Sequence, residues 1–192
     1  MENAIKVGDF IEFDHKKHTF VGIVEGAHHK SKGGVVYAVT TAEGVRHEGV
    51  ATREIHFTAP AFVQTKENKG DSSEKRLRAY DEMLHLAPAH LGDPFVLELC
   101  WEIAAEDESA NAQASLSLSD FVALVDGALG DSPIELYRTF RLLTSEVGRV
   151  FFTKVKHGAF KVRAEKSVEA AKKELCSHDA LHSGYESFCF AI

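Results

Sequence analysis

Residues 64–74, Gln-Thr-Lys-Glu-Asn-Lys-Gly-Asp-Ser-Ser-Glu, contain no apolar side chain, and the hydrophobic period changes across them. A stretch with nothing to bury cannot offset the entropy lost on ordering, so it reads as a linker between two separately packed pieces. A chain of 192 residues is long enough for two small cores. The organisation expected is a first domain over 1–62, a linker over 63–76, a second domain over 77–175 and an irregular tail over 176–192.

Before the linker the apolar runs are short and alternate with period two: Val7 to Phe13, Phe20 to Val24, Val35 to Thr41, Val45 to Val50 and Arg53 to Phe57. Val, Ile, Phe, Tyr and Thr dominate them and Gly or polar turns separate them, the pattern of a β meander. Five short strands in about sixty residues suit an SH3-like barrel that closes on itself. Lys30-Ser-Lys-Gly-Gly34 reads as a cationic loop and Ala42-Glu-Gly44 as a tight hairpin turn.

After the linker the period becomes helical. Leu77, Tyr80, Met83, Leu84 and Leu86 fall near one stripe. Asp93-Pro94 starts a helix to about Ala105, with Leu97, Cys100, Trp101 and Ala104 on its buried side. Glu106 to Ser115 reads as a surface loop. Ser117 caps a helix through Phe121, Leu124 and Val125 that Gly130 ends, and Ser132-Pro-Ile-Glu135 launches another through Leu136, Phe140 and Leu143. Val150 to Lys156, a turn at His157-Gly158 and Ala159 to Arg163 form a β-hairpin, and Ser167 caps a last helix from Val168 to Leu175. Three helices followed by a hairpin is the winged-helix order. The fold class expected is therefore α+β, a small SH3-like β-barrel followed by a winged-helix domain.

The net charge of -7 is unevenly distributed. Residues 81–147 hold 2 Lys/Arg against 13 Asp/Glu, whereas residues 148–175 hold 8 against 3. In the hairpin Lys154, Lys156, Lys161 and Arg163 recur beside the apolar anchors Phe151 and Phe160, an arrangement suited to backbone phosphates. Lysines also protect a strand edge from aggregation, which accounts for the same residues without a ligand. Lys30, Lys32 and the loop from His15 to His18 are secondary phosphate candidates. The partner expected is single-stranded RNA, bound weakly and without sequence preference. A DNA regulator would need a cationic recognition helix, and the helix after Pro133 offers only Arg138 and Arg141 beside Asp131 and Glu135. No DNA partner is expected.

Catalytic signatures are missing. The carboxylates of 93–135 spread along helix faces instead of converging as metal-dependent phosphodiester hydrolysis requires, and there is no P-loop, dinucleotide glycine fingerprint or nucleophile elbow. His15, His18, His28 and His29 have neither nearby cysteines nor a helical His-Glu-x-x-His frame, so no metal is assigned to them. Cys100 beside Trp101 reads as packing. Three widely spaced cysteines, no apolar run of about eighteen residues and no export signal suit a soluble protein of a reducing compartment.

Taken in order, Val7 to Phe13, Pro94-Phe-Val-Leu-Glu-Leu-Cys-Trp-Glu102, Ser117-Leu-Ser-Asp-Phe-Val122, Ser132 to Leu143 and Val150-Phe-Phe152 resemble the N-terminal region of ribonuclease II/R (RNB) family exoribonucleases of the cyanobacterial and plant-organelle type. The resemblance spans residues 7 to about 175. It implies a barrel and winged helix that precede a cold-shock domain, a magnesium-dependent catalytic domain and an S1 domain, the whole removing nucleotides from RNA 3′ ends. The family's catalytic aspartates belong to the catalytic domain, so no catalytic residue and no cofactor carries over, and the chain alone is expected to be inactive. It implies a plastid or mitochondrion, or the cytoplasm of a cyanobacterium. Near Cys176 the chain departs from the family, as a short isoform or a misassembled gene model would, and its N-terminus begins almost on the first strand, without an organellar targeting peptide. The competing expectation is a protein-interaction module without RNA affinity, because barrels and winged helices both bind proteins and acidic helices repel RNA.

Overall fold

The computed structural model describes residues 5–31, 33–59, 72–86, 94–108, 115–130, 132–155 and 159–177. They form two compact units, residues 1–88 with 132–137 and residues 89–131 with 138–192.

In the first unit five strands make one antiparallel sheet: β1 (Phe10–His15), β2 (His18–His29), β3 (Val35–Thr40), β4 (Arg46–Ala51) and β5 (Ile55–Ala59), in the order β4-β3-β2-β1-β5. A single 3₁₀ turn, Thr52–Glu54, joins the last two. Each of the five expected runs contributes a strand, but β1 begins at Phe10 and not Val7, β2 runs on to His29, and Arg53 and Glu54 lie in the 3₁₀ turn. The expected closure does not occur: β4 and β5 lie at opposite ends of the hydrogen-bonded order, so the sheet is not a closed barrel. Bulges between Val24 and Gly26 in β2 and at His56 in β5, opposite Glu12 and Phe13, bend the ladder without joining its ends. Ile11, Phe13, Val24, Tyr37, Val39 and Val50 form the core of this unit, with Phe20, Val35 and Ile55 packed at its margin. The expected turn at Ala42-Glu-Gly44 forms, with Gly44 at φ 76° and its N–H donating to the Thr41 carbonyl at 3.0 Å. A helix, α1 (Ser73–Leu86), follows, with Leu77 buried and the Ser73 hydroxyl hydrogen-bonded to the Glu25 carboxylate of β2.

The β1–β2 connection is a two-residue hairpin closed by the His15–His18 pair, with Lys16 at φ 49° and Lys17 at φ 70°. Two successive left-handed residues are what a type I′ turn demands and what Asn-Gly normally supplies, because a lysine Cβ crowds the backbone there. Replacing the pair by Lys16→Asn with Lys17→Gly is therefore expected to raise unfolding free energy by about 1 kcal/mol. Denaturant unfolding followed by far-UV circular dichroism checks this; a destabilised double variant would mean that the lysine stems contribute packing that outweighs the strain.

The second unit contains α2 (Pro94–Glu108), α3 (Leu118–Val125), the latter part of α4 (Pro133–Thr144), the short α5 (Glu146–Phe151), β6 (Phe152–Lys154), β7 (Phe160–Val162) and α6 (Glu165–Ser177). Ser117 caps α3 reciprocally with Asp120: its hydroxyl accepts from the Asp120 N–H at 3.3 Å, and the Asp120 carboxylate accepts from the Ser117 N–H at 2.7 Å. Leu97, Cys100 and Ala104 are buried as expected, while Trp101 is half-buried and donates its indole N–H to the Arg163 carbonyl at 2.9 Å. Burial raises the Cys100 thiol pKa, which suits an inert packing role.

Three expectations need correction here. The helix after Ser117 ends at Val125, where the Asp126 N–H donates to the Val122 carbonyl, and not at Gly130. The last helix starts at Glu165, ahead of Ser167. Val150 and Phe151 are helical, because Ser145 opens α5 by accepting from the Gly148 N–H at 3.1 Å, which leaves only Phe152–Lys154 for the first wing strand. The wing also gains a third edge: Leu116 exchanges two backbone hydrogen bonds with Phe160, each of 2.9 Å.

Candidate nucleic-acid interface

The wing is anchored by rings. Phe151, Phe152 and Phe160 are buried, and Phe121 meets Phe152 edge to face at 4.7 Å and Phe160 at 6.2 Å. Such pairs hold the hairpin on the helices beyond what area burial alone would give. The ladder pairs Phe152 with Val162, Thr153 with Lys161 and Lys154 with Phe160. Side chains alternate across a strand, so Thr153 and Lys161 share one face and Phe152, Lys154 and Phe160 share the other. The hairpin cations therefore do not form one continuous face.

Their individual settings differ as well. Lys161 is exposed, opposite Thr153. Lys154 is exposed with its ammonium 4.7 Å from the centre of the Phe140 ring. Arg163 does a structural job: its Nη1 donates to the carbonyls of Arg149 at 2.7 Å and Val150 at 3.4 Å, where the helix leaves acceptors unsatisfied. Lys156 and Lys32 lie outside the described residues. Lys30 belongs to the first unit, in the exposed turn closed by its own N–H to the Gly34 carbonyl at 3.0 Å.

Arg149 joins Lys154 at a half-open cavity of about 240 Å³, lined also by Leu143, Thr144, Phe152 and Thr153. Two cations and two hydroxyl-bearing side chains around a concavity of that size can receive a phosphodiester. Sequence reasoning alone does not single out Arg149, because treating Val150 and Phe151 as strand hides the short helix that positions it; Ser145 three residues before Gly148 is the available signal.

Among the described residues no group of three or more His, Cys, Asp or Glu is placed to hold a metal ion. In the same residues no helix is long and apolar enough to cross a membrane.

His15, His18 and His47 of the first unit cluster at one end of its sheet. His47 on β4 stacks near Phe20 at 4.7 Å, Phe13 at 5.4 Å and His15 at 5.1 Å, and its Nε2 is buried with no hydrogen-bond partner. Desolvation, helped by the charges of His15 and Lys16, lowers its pKa below the ordinary 6.5. Because the folded state resists the proton that the unfolded chain accepts, stability is full above about pH 6.5 and falls as acid takes the pH toward the folded value. His56 sits apart, with Nε2 2.8 Å from Asp14, whose pKa is lowered by hydrogen bonds from Thr19 and His56. That carboxylate sheds its contribution in a separate, more acidic window. His47→Gln is expected to flatten the stability profile below about pH 6.5, measured by urea midpoints at fixed ionic strength; an unchanged slope would place the titration elsewhere.

No curated protein and no solved structure matches the chain. Residues 85–167, which hold α2 through β7, match the family model described as ribonuclease II, winged helix domain, and this segment of the chain is similar to that domain.

Proposed function

We propose that this chain is a noncatalytic RNA-binding and positioning module, the N-terminal part of a ribonuclease II-like 3′→5′ exoribonuclease. The match of residues 85–167 to the ribonuclease II winged helix domain carries the reading. In it, Arg149, Lys154 and Lys161 neutralise RNA phosphates, with Lys156, Lys30 and Lys32 as further cations, and Arg163 holds the wing in place. Contacts of this kind read no bases, so binding is weak, sequence-tolerant and salt-sensitive. The chain itself uses no cofactor, magnesium serving the catalytic domain of the resembled family. The SH3-like character of the first unit and a plastid, mitochondrial or cyanobacterial setting belong to the same reading and rest on the block resemblance.

Purified chain with labelled single-stranded RNA, magnesium and two salt concentrations tests it. The expected result is binding that weakens with salt and leaves RNA length unchanged. Lys154→Ala with Lys161→Ala should reduce the salt slope by about 0.7 for each phosphate no longer neutralised. Processive shortening would overturn the noncatalytic part.

A protein-interaction role without RNA affinity is the alternative. Leu99 and Ile103, exposed by 55% and 39% and one turn apart on α2, are the feature that favours it. Absence of RNA binding at low salt would select it.

A further inference from the structure

The first unit holds a cluster that the wing reading does not use. Around the β1–β2 turn, His18 is exposed, while His15, Phe20 and His47 are half-buried over the core residue Phe13. Ring centres lie 6.3 Å apart for His18 and Phe20, 5.8 Å for Phe13 and Phe20, and 4.7 Å for Phe20 and His47. These contacts hold the half-buried rings against the core, while the exposed His18 ring lies beside them at the surface. Lys16 and Lys17, both exposed, stand at the tip of the same turn.

Their backbone is the second observation. Both lysines occupy positive φ, where Asn-Gly would fold at lower cost, so the turn carries two cations at positions that disfavour them. Asp14, two residues before Lys16, is engaged by the Thr19 hydroxyl at 2.7 Å and by His56 at 2.8 Å, and Glu48 is paired with Arg46 at 2.7 Å. Partnered carboxylates repel an approaching anion less than bare ones.

We propose that His18, braced edge-on by Phe20, stacks a nucleobase of a single-stranded nucleic acid while Lys16 and Lys17 receive the adjoining phosphates. Rings interleaved with cations are the general platform for unpaired strands, because every base has a face to stack and every linkage has a charge to neutralise. The choice of RNA as the strand rests on the function proposed above; the site is a second one, in a different unit and holding bases, where the wing meets phosphates only. His47 stays mostly neutral near pH 7, which leaves Lys16 and Lys17 as the fixed charges of the turn.

The experiment is fluorescence anisotropy of the full chain with labelled decauridylate and with an abasic ribose-phosphate oligomer of equal length. Wild type is expected to bind decauridylate about tenfold tighter than the abasic strand. His18→Ala, at an exposed position, should erase that ratio, and Lys16→Asn with Lys17→Gly, a substitution that relieves the turn, should lower the salt slope by about 0.7 for each phosphate released. Lys154→Ala with Lys161→Ala should weaken both strands and keep the ratio. Equal affinity for the two strands, or a ratio untouched by His18→Ala, overturns the inference. If the wing variant changes nothing while the ratio persists, the wing assignment fails and this site stands.

Discussion

Phe160→Ala is expected to destabilise the second unit by about 4 kcal/mol, a large share of what holds a small domain together. The ring is fully buried, lies edge to face with Phe121 at 6.2 Å, and sits on the strand residue whose N–H and C=O both bond to Leu116. Removing it leaves a cavity under the hairpin that backbone pairing on both sides keeps from collapsing, the situation in which truncation costs most. Trp101 is the one tryptophan in the chain and belongs to this unit, so urea unfolding followed by its emission reports the loss directly. The part of RNA binding that depends on Lys154 and Lys161 should fail at the same urea concentration as the tryptophan transition. A loss under about 1 kcal/mol would show that the hairpin is held by its backbone bonds and not by its rings.

The second large effect lies at Gly148. A Cβ added there would stand 2.6 Å from the Cα of Leu143 and closer still to the Leu142 carbonyl oxygen, both backbone atoms. Backbone cannot rotate away as a flexible side chain can, so α5 would have to part from the end of α4. Gly148→Ala is expected to cost about 3 kcal/mol, and Gly148→Ser no less. The consequence reaches the candidate interface, because α5 carries Arg149 to the cavity and offers the carbonyls that Arg163 binds. Thermal unfolding gives the stability, and the Lys154-dependent part of the RNA salt slope gives the function; a stable Gly148→Ala chain with normal binding would mean that α5 can shift without disturbing the wing.

Much of the fold was legible because the signals were local. Ser117 with Asp120 names a helix start through hydrogen bonds made within one turn, and Pro133 at the first helical position names another because it gives up a donor that would be unpaired there. β-rich composition and short apolar runs between turn residues located the five strands of the first unit approximately, even though β1 and β3 bury consecutive residues and so both of their sides. The Lys16-Lys17 turn was not legible: it has none of the Gly or Asn that marks such a hairpin, and its geometry is imposed by the pairing of β1 with β2.

The candidate site was legible as composition and not as arrangement. Lys154, Lys161 and Arg163 announced a cationic hairpin, yet their tertiary surroundings decide what each can do. Register turns Lys154 and Lys161 to opposite faces, the Arg149 and Val150 carbonyls take up the Arg163 guanidinium, and a helical turn in place of a strand brings Arg149 beside Lys154.

The sequence by itself determined the order of the strands and longer helices, the change from strand to helix and the segregation of charge, because periodicity and capping depend on neighbours a few residues away. Whether the sheet closes, which face a lysine takes, and which arginine meets solvent or carbonyl depend on residues brought together from far apart in the chain, so only the tertiary structure decided them.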